Sequence, residues 1–341
     1  MAVPVMSLTE VHAIATQILE GHDVSPEQAR AVADTVTNAE RDECRSHGLF
    51  RIPGYVKSAV SGKVDGHAIP VVNHLAPAVV QVDAKRGYAP LALEVGAIHL
   101  AEKARTQGIA ALSITDCHHF AALWPETERL AEKGLVAFAF TGSNSFVAPA
   151  GGKSKLYGTN PMSFAWPRVG RPPLVFDQAS SASARGEIQL HQRDGHSLPD
   201  GWAIDSDGNP TNDPAAALAG AQLPFGGYKG AAIALMVELL AGALIGDTFS
   251  FETSEHDNGD GGPPTGGEFM IAIDPARTRP NGAGAAMAHA EQLFERILGQ
   301  DGTRLPSDRR FAARERTAQS GVTVAQVLHD ELHTLLAKVA A

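Results

Sequence analysis

Cysteine is nearly absent: Cys44 and Cys117 are the only two in 341 residues, and they do not form a C-x-x-C pair. That excludes a disulfide framework and a paired-cysteine zinc site, and it makes a reducing, cytoplasmic setting the expectation. Clustered basic charge is also lacking. Lys and Arg number 28 against 38 Asp and Glu, a net charge of −10, which argues against a protein that grips nucleic-acid phosphates. No Lys or Arg precedes Leu8, so the basic region of a signal peptide is missing. The longest apolar stretch, Gly230 to Gly246, is interrupted by Glu238 and falls short of the roughly 20 residues a bilayer requires. It reads as a buried helix. With 44% hydrophobic residues the chain is not disordered, and it has length for one large or two ordinary domains. Sparse aromatics beside 34 Gly and 21 Pro suit a loop-rich α/β enzyme that is soluble and unexported.

The common nucleotide and hydrolase signatures are missing too. The nearest G-x-G-x-x-G is Gly282-Ala-Gly-Ala-Ala-Met287, where Met replaces the glycine that would pack helix on strand. Gly152-Lys-Ser154 resembles the end of a phosphate-binding loop, but Val147 occupies its first glycine position. Neither H-E-x-x-H nor G-x-S-x-G occurs.

What is present is an alternation of strand and helix signals. Ser7-Leu-Thr-Glu10 predicts a capping box opening a helix, and Ser25-Pro26 a second helix start. Strands are expected at Val79–Asp83, Ile109–Ile114, Val136–Phe140, Leu174–Phe176 and Met270–Ile273. Helices are expected at Ala89–Gln107, His119–Lys133, Gly284–Leu298 and Val322–Ala341, and the Gly- and Pro-rich run Asp257–Gly267 reads as a surface loop. The pattern predicts an α/β core.

Four polar segments stand out. In Arg45-Ser-His-Gly-Leu-Phe-Arg51, His47 and Arg51 are four apart and share one side of a helix or strand. A guanidinium can fork onto a carboxylate and an imidazole titrates near neutrality, so the pair could hold an acid and protonate it. The competing reading is a helix C-terminus capped by Gly48. On a regular element Ser46 would point away from His47, which argues against a nucleophilic Ser–His pair. Asp116-Cys-His-His-Phe120 follows a strand, where α/β folds bind ligands; alternatively one His caps a helix and the other is solvated. A metal is not expected there because neighbouring histidines diverge. Asp177-Gln178-Ala179 to Ala184-Arg185-Gly186-Glu187 holds charged residues around a small-residue loop, for which a surface ion pair is the alternative. In Pro224-Phe-Gly-Gly-Tyr-Lys-Gly230, Lys229 at a helix start opposes the dipole unless an anion is bound. The two cysteines read as small buried fillers.

Together, R-S-H-G-x-x-R at 45–51, H-H-F-A-A-L-W-P at 118–125, G-T-N-P at 158–161, F-D-Q-A at 176–179 and P-F-G-G-Y-K-G at 224–230 resemble the type-2 malate/L-lactate dehydrogenase family, a non-Rossmann group of NAD(P)-dependent oxidoreductases. The motifs fall in that family's order across nearly the whole chain. Within it, the double-His segment and Arg304-Leu-Pro-Ser-Asp-Arg-Arg310 are similar to the Δ1-piperideine-2-carboxylate/Δ1-pyrroline-2-carboxylate reductase branch.

The resemblance implies a central mixed sheet with helices plus a helical part from the two termini. It divides the chain into a helical part (1–74) carrying the proton donor, a cofactor- and substrate-binding α/β part (75–299), and a C-terminal segment (300–341) packing back on the first. His47 would be the proton donor, with Ser46 and Glu187 as relay partners. Arg51 would hold the substrate carboxylate, with Thr159, Arg185 and Gly186 completing the pocket. NADPH, or NADH, would lie against His118, His119, Phe120, Ala121, Ala122, Asp177, Gln178, Ala179, Tyr228, Lys229 and the segment Arg304, Leu305, Pro306, Ser307, Asp308, Arg309, Arg310. The implied reaction reduces a cyclic imino acid to L-pipecolate or L-proline in a homodimer that uses no metal, nucleic acid or membrane. Glu187 departs from the family's usual Asp by one methylene, and Arg185 stands where a smaller residue is usual. A 2-hydroxy-acid dehydrogenase is the alternative within the family, and a catalytically silent ligand-binding protein the alternative outside its chemistry. Of the 14 histidines, only three fall in this site.

Overall fold

Ser7 opens the first helix as its spacing predicts. Its hydroxyl accepts from the Glu10 amide at 3.2 Å while the Glu10 carboxylate accepts from the Ser7 amide at 2.7 Å, so two free donors of the first turn are satisfied. The computed structural model describes residues 4–120, 122–280 and 282–339. In it, β1 (Val5–Met6) precedes this helix, α1 (Leu8–Glu20), and α2 (Pro26–Arg41) follows with Ser25 as its cap. Two short 3-10 turns, Arg45–His47 and Leu49–Arg51, lead into α3 (Ile52–Val60).

The α/β part runs β2 (Val71–Ala76), β3 (Val79–Asp83), α4 (Ala89–Gln107), β4 (Ile109–His118), α5 (Trp124–Glu132), β5 (Val136–Thr141), β6 (Met162–Trp166) and β7 (Leu174–Gln178). Then come α6 (Arg185–Asp194) and a small antiparallel sheet of β8 (Ala203–Ile204), β9 (Pro210–Thr211) and, after α7 (Pro214–Ala219), β10 (Ala221–Gln222). The apolar helix α8 (Tyr228–Glu238) continues through a π turn, Leu239–Ala243. The chain ends with α9 (Ser250–Glu255), β11 (Thr265–Ile273), α10 (Gly282–Leu298), α11 (Asp308–Ser320), β12 (Val322–Thr323) and α12 (Gln326–Val339).

Seven strands make the main sheet, in the order β2-β3-β4-β11-β5-β6-β7. β3 and β4 run parallel and the other neighbours antiparallel, so the sheet is mixed. One core lies where α4 and α5 cover it, with Leu100, Leu112, Ile114, Leu123 and Leu130 fully buried. Each such side chain contributes about 2 kcal/mol on leaving water. A second core is built from both chain ends. Ile18, Leu19, Val32, Val36, Leu49 and Ile52 pack with Val322 and Leu332, and β1 pairs with β12 through Val5↔Thr323 and Met6↔Val322. The 3-10 turns bearing His47 and Arg51 sit between these two cores, with Leu49 and Ile52 pinning them to the second.

The structure corrects several boundaries. β4 does not stop at Ile114 but continues to His118, because β11 pairs with it as far as Thr265↔His118. The helix expected from His119 therefore starts at Trp124. The same pairing turns the end of the 257–267 loop into strand. The rest of the loop is at the surface as expected, with 257–259 and Gly261 exposed, and is tied to α3 and the residues after it through Asp260, which accepts from Ser58 at 2.8 Å and from Lys63 at 3.2 Å. The last helix starts at Gln326, since Val322–Thr323 is taken up by β1. β2 spans the 74/75 boundary between the first two parts. Among the described residues no helix is long and apolar enough to cross a membrane.

Candidate active site

α2 ends at Asp42, and Glu43 takes a left-handed φ of 57° that redirects the chain. The 3-10 turn that follows overturns the view of Ser46 as pointing away. Its hydroxyl lies 3.0 Å from Nδ1 of His47, both side chains standing on the single turn Arg45–His47. The Cys44 thiol lies 3.6 Å from the same nitrogen, and burial pushes it up to about 11, so it is a neutral neighbour rather than a thiolate. Gly48 is not a left-handed cap either, with φ −88°. Its need is space: a Cβ would fall 2.0 Å from Oε1 of Glu40, whose carboxylate accepts from the Leu49 amide at 2.8 Å.

Arg51 is held by its Nε donating to the Ser46 carbonyl at 2.7 Å, with its guanidinium 4.6 Å from the Phe120 ring centre. Arg51 lines a cleft together with Phe120, and its charge reaches the His47 imidazole. Burial, then the charges of Arg51 and His119, hold His47 down at about 3, so its imidazole is neutral at neutral pH.

The 118–120 segment supplies the opposite wall. Both histidines are buried, which removes the cap-and-solvent reading. Nδ1 of His118 has no hydrogen-bond partner among the described residues, and burial lowers His118 to about 4. Nε2 of His119 lies 3.0 Å from Glu126 and 3.1 Å from Glu268. Burial opposes its charge, yet the two carboxylates overcome this and push it up to about 10. Glu268 is aimed there by an irregularity in the β11–β4 ladder between Gly266 and Glu268. The donor atoms of His119, Glu126 and Glu268 converge within 4.8 Å of one another, which is also a spacing a metal could use. Sequence reasoning missed both glutamates. Glu268 in an apolar strand was the available signal. Ala121 lies outside the described residues, and Ala122 is buried in the sheet core.

Asp177, at the end of β7, accepts from the amides of Leu123 and Trp124 at 2.8 and 3.2 Å, tying it to α5 rather than to Arg185. Burial pushes it up to about 7 against those hydrogen bonds. The C-terminal segment meets the same strand. Ser307, at a left-handed φ of 79°, exchanges hydrogen bonds with Val175, and Arg310 donates to Ser307 Oγ at 2.8 Å and to the Val175 carbonyl at 3.0 Å. Arg310 lies over the Trp124 ring, and its Nε has no hydrogen-bond partner among the described residues. Leu305 is buried, its amide donating to Asp308 at 2.8 Å, while Arg304, Pro306 and Arg309 are exposed.

None of the other candidate residues forms a hydrogen bond or ion pair with His47 among the described residues. Thr159 accepts from Ser180 through its carbonyl, and its loop is fixed by Asn160, which donates to Glu238 at 2.8 Å. Glu238 also accepts from Ser250 at 2.9 Å, which explains a carboxylate inside an apolar helix. Gln178 is exposed and Ala179 half-buried beyond β7. Tyr228 and Lys229 are exposed at the start of α8, the tyrosine by 72%. Arg185 stacks on Phe146 at 4.0 Å, and no side chain crowds Gly186. Glu187 is exposed beside His191, 3.8 Å away; the structure does not bring it to His47. α6 does approach the cleft: its Gln189 lines a cavity of about 290 Å³ together with Arg51, Phe120, Gly261 and Glu331.

Residues 6–333 match the sequence profile described as malate/L-lactate dehydrogenase. A Δ1-pyrroline-2-carboxylate/Δ1-piperideine-2-carboxylate reductase of Pseudomonas aeruginosa is 53% identical, covering 97% of this chain and 99% of that one. A Δ1-pyrroline-2-carboxylate reductase of Ancylobacter novellus is 51% identical, covering 97% of each. The crystal structure of the Δ1-piperideine-2-carboxylate reductase of Pseudomonas syringae superposes with a TM-score of 0.91 at 43% identity, covering 97% of this chain and 99% of that one. The chain belongs to the malate/L-lactate dehydrogenase family.

Proposed function

We propose that this protein reduces the cyclic imines Δ1-pyrroline-2-carboxylate and Δ1-piperideine-2-carboxylate to L-proline and L-pipecolate, with NADPH as the reductant. The observation that carries this reading is the 45–51 turn itself: Ser46 sits on Nδ1 of His47, Arg51 is anchored to the Ser46 carbonyl, and the Arg51 charge reaches the imidazole. It is supported by relatives of that name at about half identity over nearly their full length.

The residues suit the chemistry. Arg51, stacked on Phe120 with its Nε anchored, presents its remaining donors to a carboxylate and fixes which face of the ring is exposed. Engaging Nδ1 of His47 with Ser46 leaves Nε2 for the imine nitrogen. Burial first, and the Arg51 charge second, keep His47 neutral. A bound carboxylate cancels part of the Arg51 charge, so substrate itself raises the proton affinity of His47. Protonating the nitrogen makes the adjacent carbon electrophilic.

A dinucleotide fits the donors present: exposed Arg304 and Arg309, the unsatisfied Nε of Arg310, and the exposed Tyr228 ring with Lys229 at a helix start. When bound, NADPH supplies the hydride. Roles for Ser46, His47, Arg51, Asp177 and the 304–310 segment belong to this proposal, as does a homodimer, which sedimentation would test. Glu187 as a relay acid is not supported, since its neighbour is His191.

The test is oxidation of NADPH, and separately NADH, with the two cyclic imines, pyruvate and oxaloacetate side by side. Turnover of the imines in preference to the keto acids is expected. Turnover of the keto acids alone would replace this reading with a hydroxy-acid dehydrogenase.

A further inference from the structure

Three separately encoded parts of the chain converge on one side chain that none of the site motifs contains. Arg314 of α11 donates from Nε and from a terminal nitrogen to the two carboxylate oxygens of Asp42, both at 2.7 Å. Its terminal nitrogens also reach the two oxygens of Glu128 at 2.5 and 2.7 Å. One guanidinium therefore forks onto two carboxylates, and both acids are almost wholly buried while Arg314 keeps a fifth of its side chain exposed.

The partners are not arbitrary. Asp42 caps α2 just before the turn that bears Ser46 and His47. Glu128 is on α5, whose first residue, Trp124, donates its ring N–H to Asp42 at 2.8 Å. One turn back along α11, Arg310 covers that same Trp124 ring and binds Ser307 and Val175. We propose that Arg314 is a positioning residue for the dinucleotide: by clamping α11 to the ends of α2 and α5, it sets the 304–310 segment at a fixed distance from the His47 turn. This rests on the cofactor reading above. A lysine cannot replace it, because a single ammonium is a point charge that cannot satisfy two carboxylates in parallel.

A nearby pair provides the control. Arg316 of the same helix meets Glu43 at 2.6 Å, joining the same two chain regions, but both side chains are about half exposed. Such a pair contributes little.

The experiment is a direct titration of NADPH binding by the fluorescence of the bound reduced nicotinamide, on the unaltered protein, Arg314→Lys, Glu128→Gln and Arg316→Ala, followed by kinetics. For Arg314→Lys the dissociation constant is expected to rise about tenfold or more, with kcat at saturating NADPH and KM for the imine within about threefold. Glu128→Gln, which keeps the shape and Asp42 intact, should show a smaller shift in the same direction, and Arg316→Ala none. If Arg314→Lys melts earlier yet binds NADPH as before, or if it loses kcat with binding unchanged, the proposal is wrong. Equal losses in Arg314→Lys and Arg316→Ala would also overturn it, by making helix docking in general the cause. An unaltered protein that binds neither NADPH nor NADH would overturn the cofactor reading and this inference with it.

Discussion

The Ser46 hydroxyl and Nδ1 of His47 lie 3.0 Å apart, although the residues are adjacent in sequence. The contact fixes which imidazole nitrogen is engaged and which is left for substrate. Replacing His47 by Ala is expected to lower kcat/KM for the cyclic imines by about 100-fold or more. Ser46→Ala should cost less, about tenfold, the value of one hydrogen bond. Steady-state rates of NADPH consumption check both, and full activity in His47→Ala would remove it as the proton donor.

Arg51 lowers His47, after burial itself. In Arg51→Gln the His47 ring is therefore expected to titrate at a higher pH than in the unaltered protein, where it is held at about 3. An NMR titration of the imidazole resonances reads this directly. A downward or absent shift would mean that Arg51 charge does not reach the imidazole.

His119 has the opposite sign. Its folded-state value, about 10, is raised above the ordinary 6.5, so its contribution to stability is fully present below pH 6.5 and is lost as pH rises through about 10. The melting temperature is expected to fall across that window. Glu268→Gln removes one of the two carboxylates that sustain the charge and should flatten the fall, as scanning calorimetry at several pH values would record. An equally steep decline in the variant would assign the alkaline loss to other groups.

Gly48→Ala tests a steric requirement. The new methyl would sit 2.0 Å from the Glu40 carboxylate, which cannot swing away without abandoning the buried Leu49 amide. A loss of about 1–3 kcal/mol is expected from overpacking, measured by urea unfolding, with a drop in activity because the His47 turn shifts. Stability within experimental error of the parent would show that Glu40 relocates freely.

Much of the fold was readable in order. The Ser7 and Ser25 caps, the strands near 79, 109, 136, 174 and 270, and the apolar helix from 230 depend on local periodicity and capping, and the structure has each, although that helix is not the buried one expected: Leu235, Leu239 and Leu244 are exposed. The ends of elements were not readable, since β4 extends to His118 only because a strand about 150 residues later pairs with it. The same reason hid Glu126 beside His119, and Arg314 between Asp42 and Glu128, since nothing local distinguishes them from solvated charges; Glu268 alone carried a local signal, a carboxylate in an apolar strand.

The absence of basic runs, cysteine pairs and a bilayer-length apolar run is a property of the sequence alone, and so are the His47–Arg51 spacing and the order of the motifs. Both follow from composition and neighbouring positions. Tertiary structure decided the charge state of the site. His47, His118 and His119 begin with the same side-chain chemistry and end at about 3, 4 and 10. Burial lowers all three, and only His119 has two carboxylates brought against its ring that overcome it.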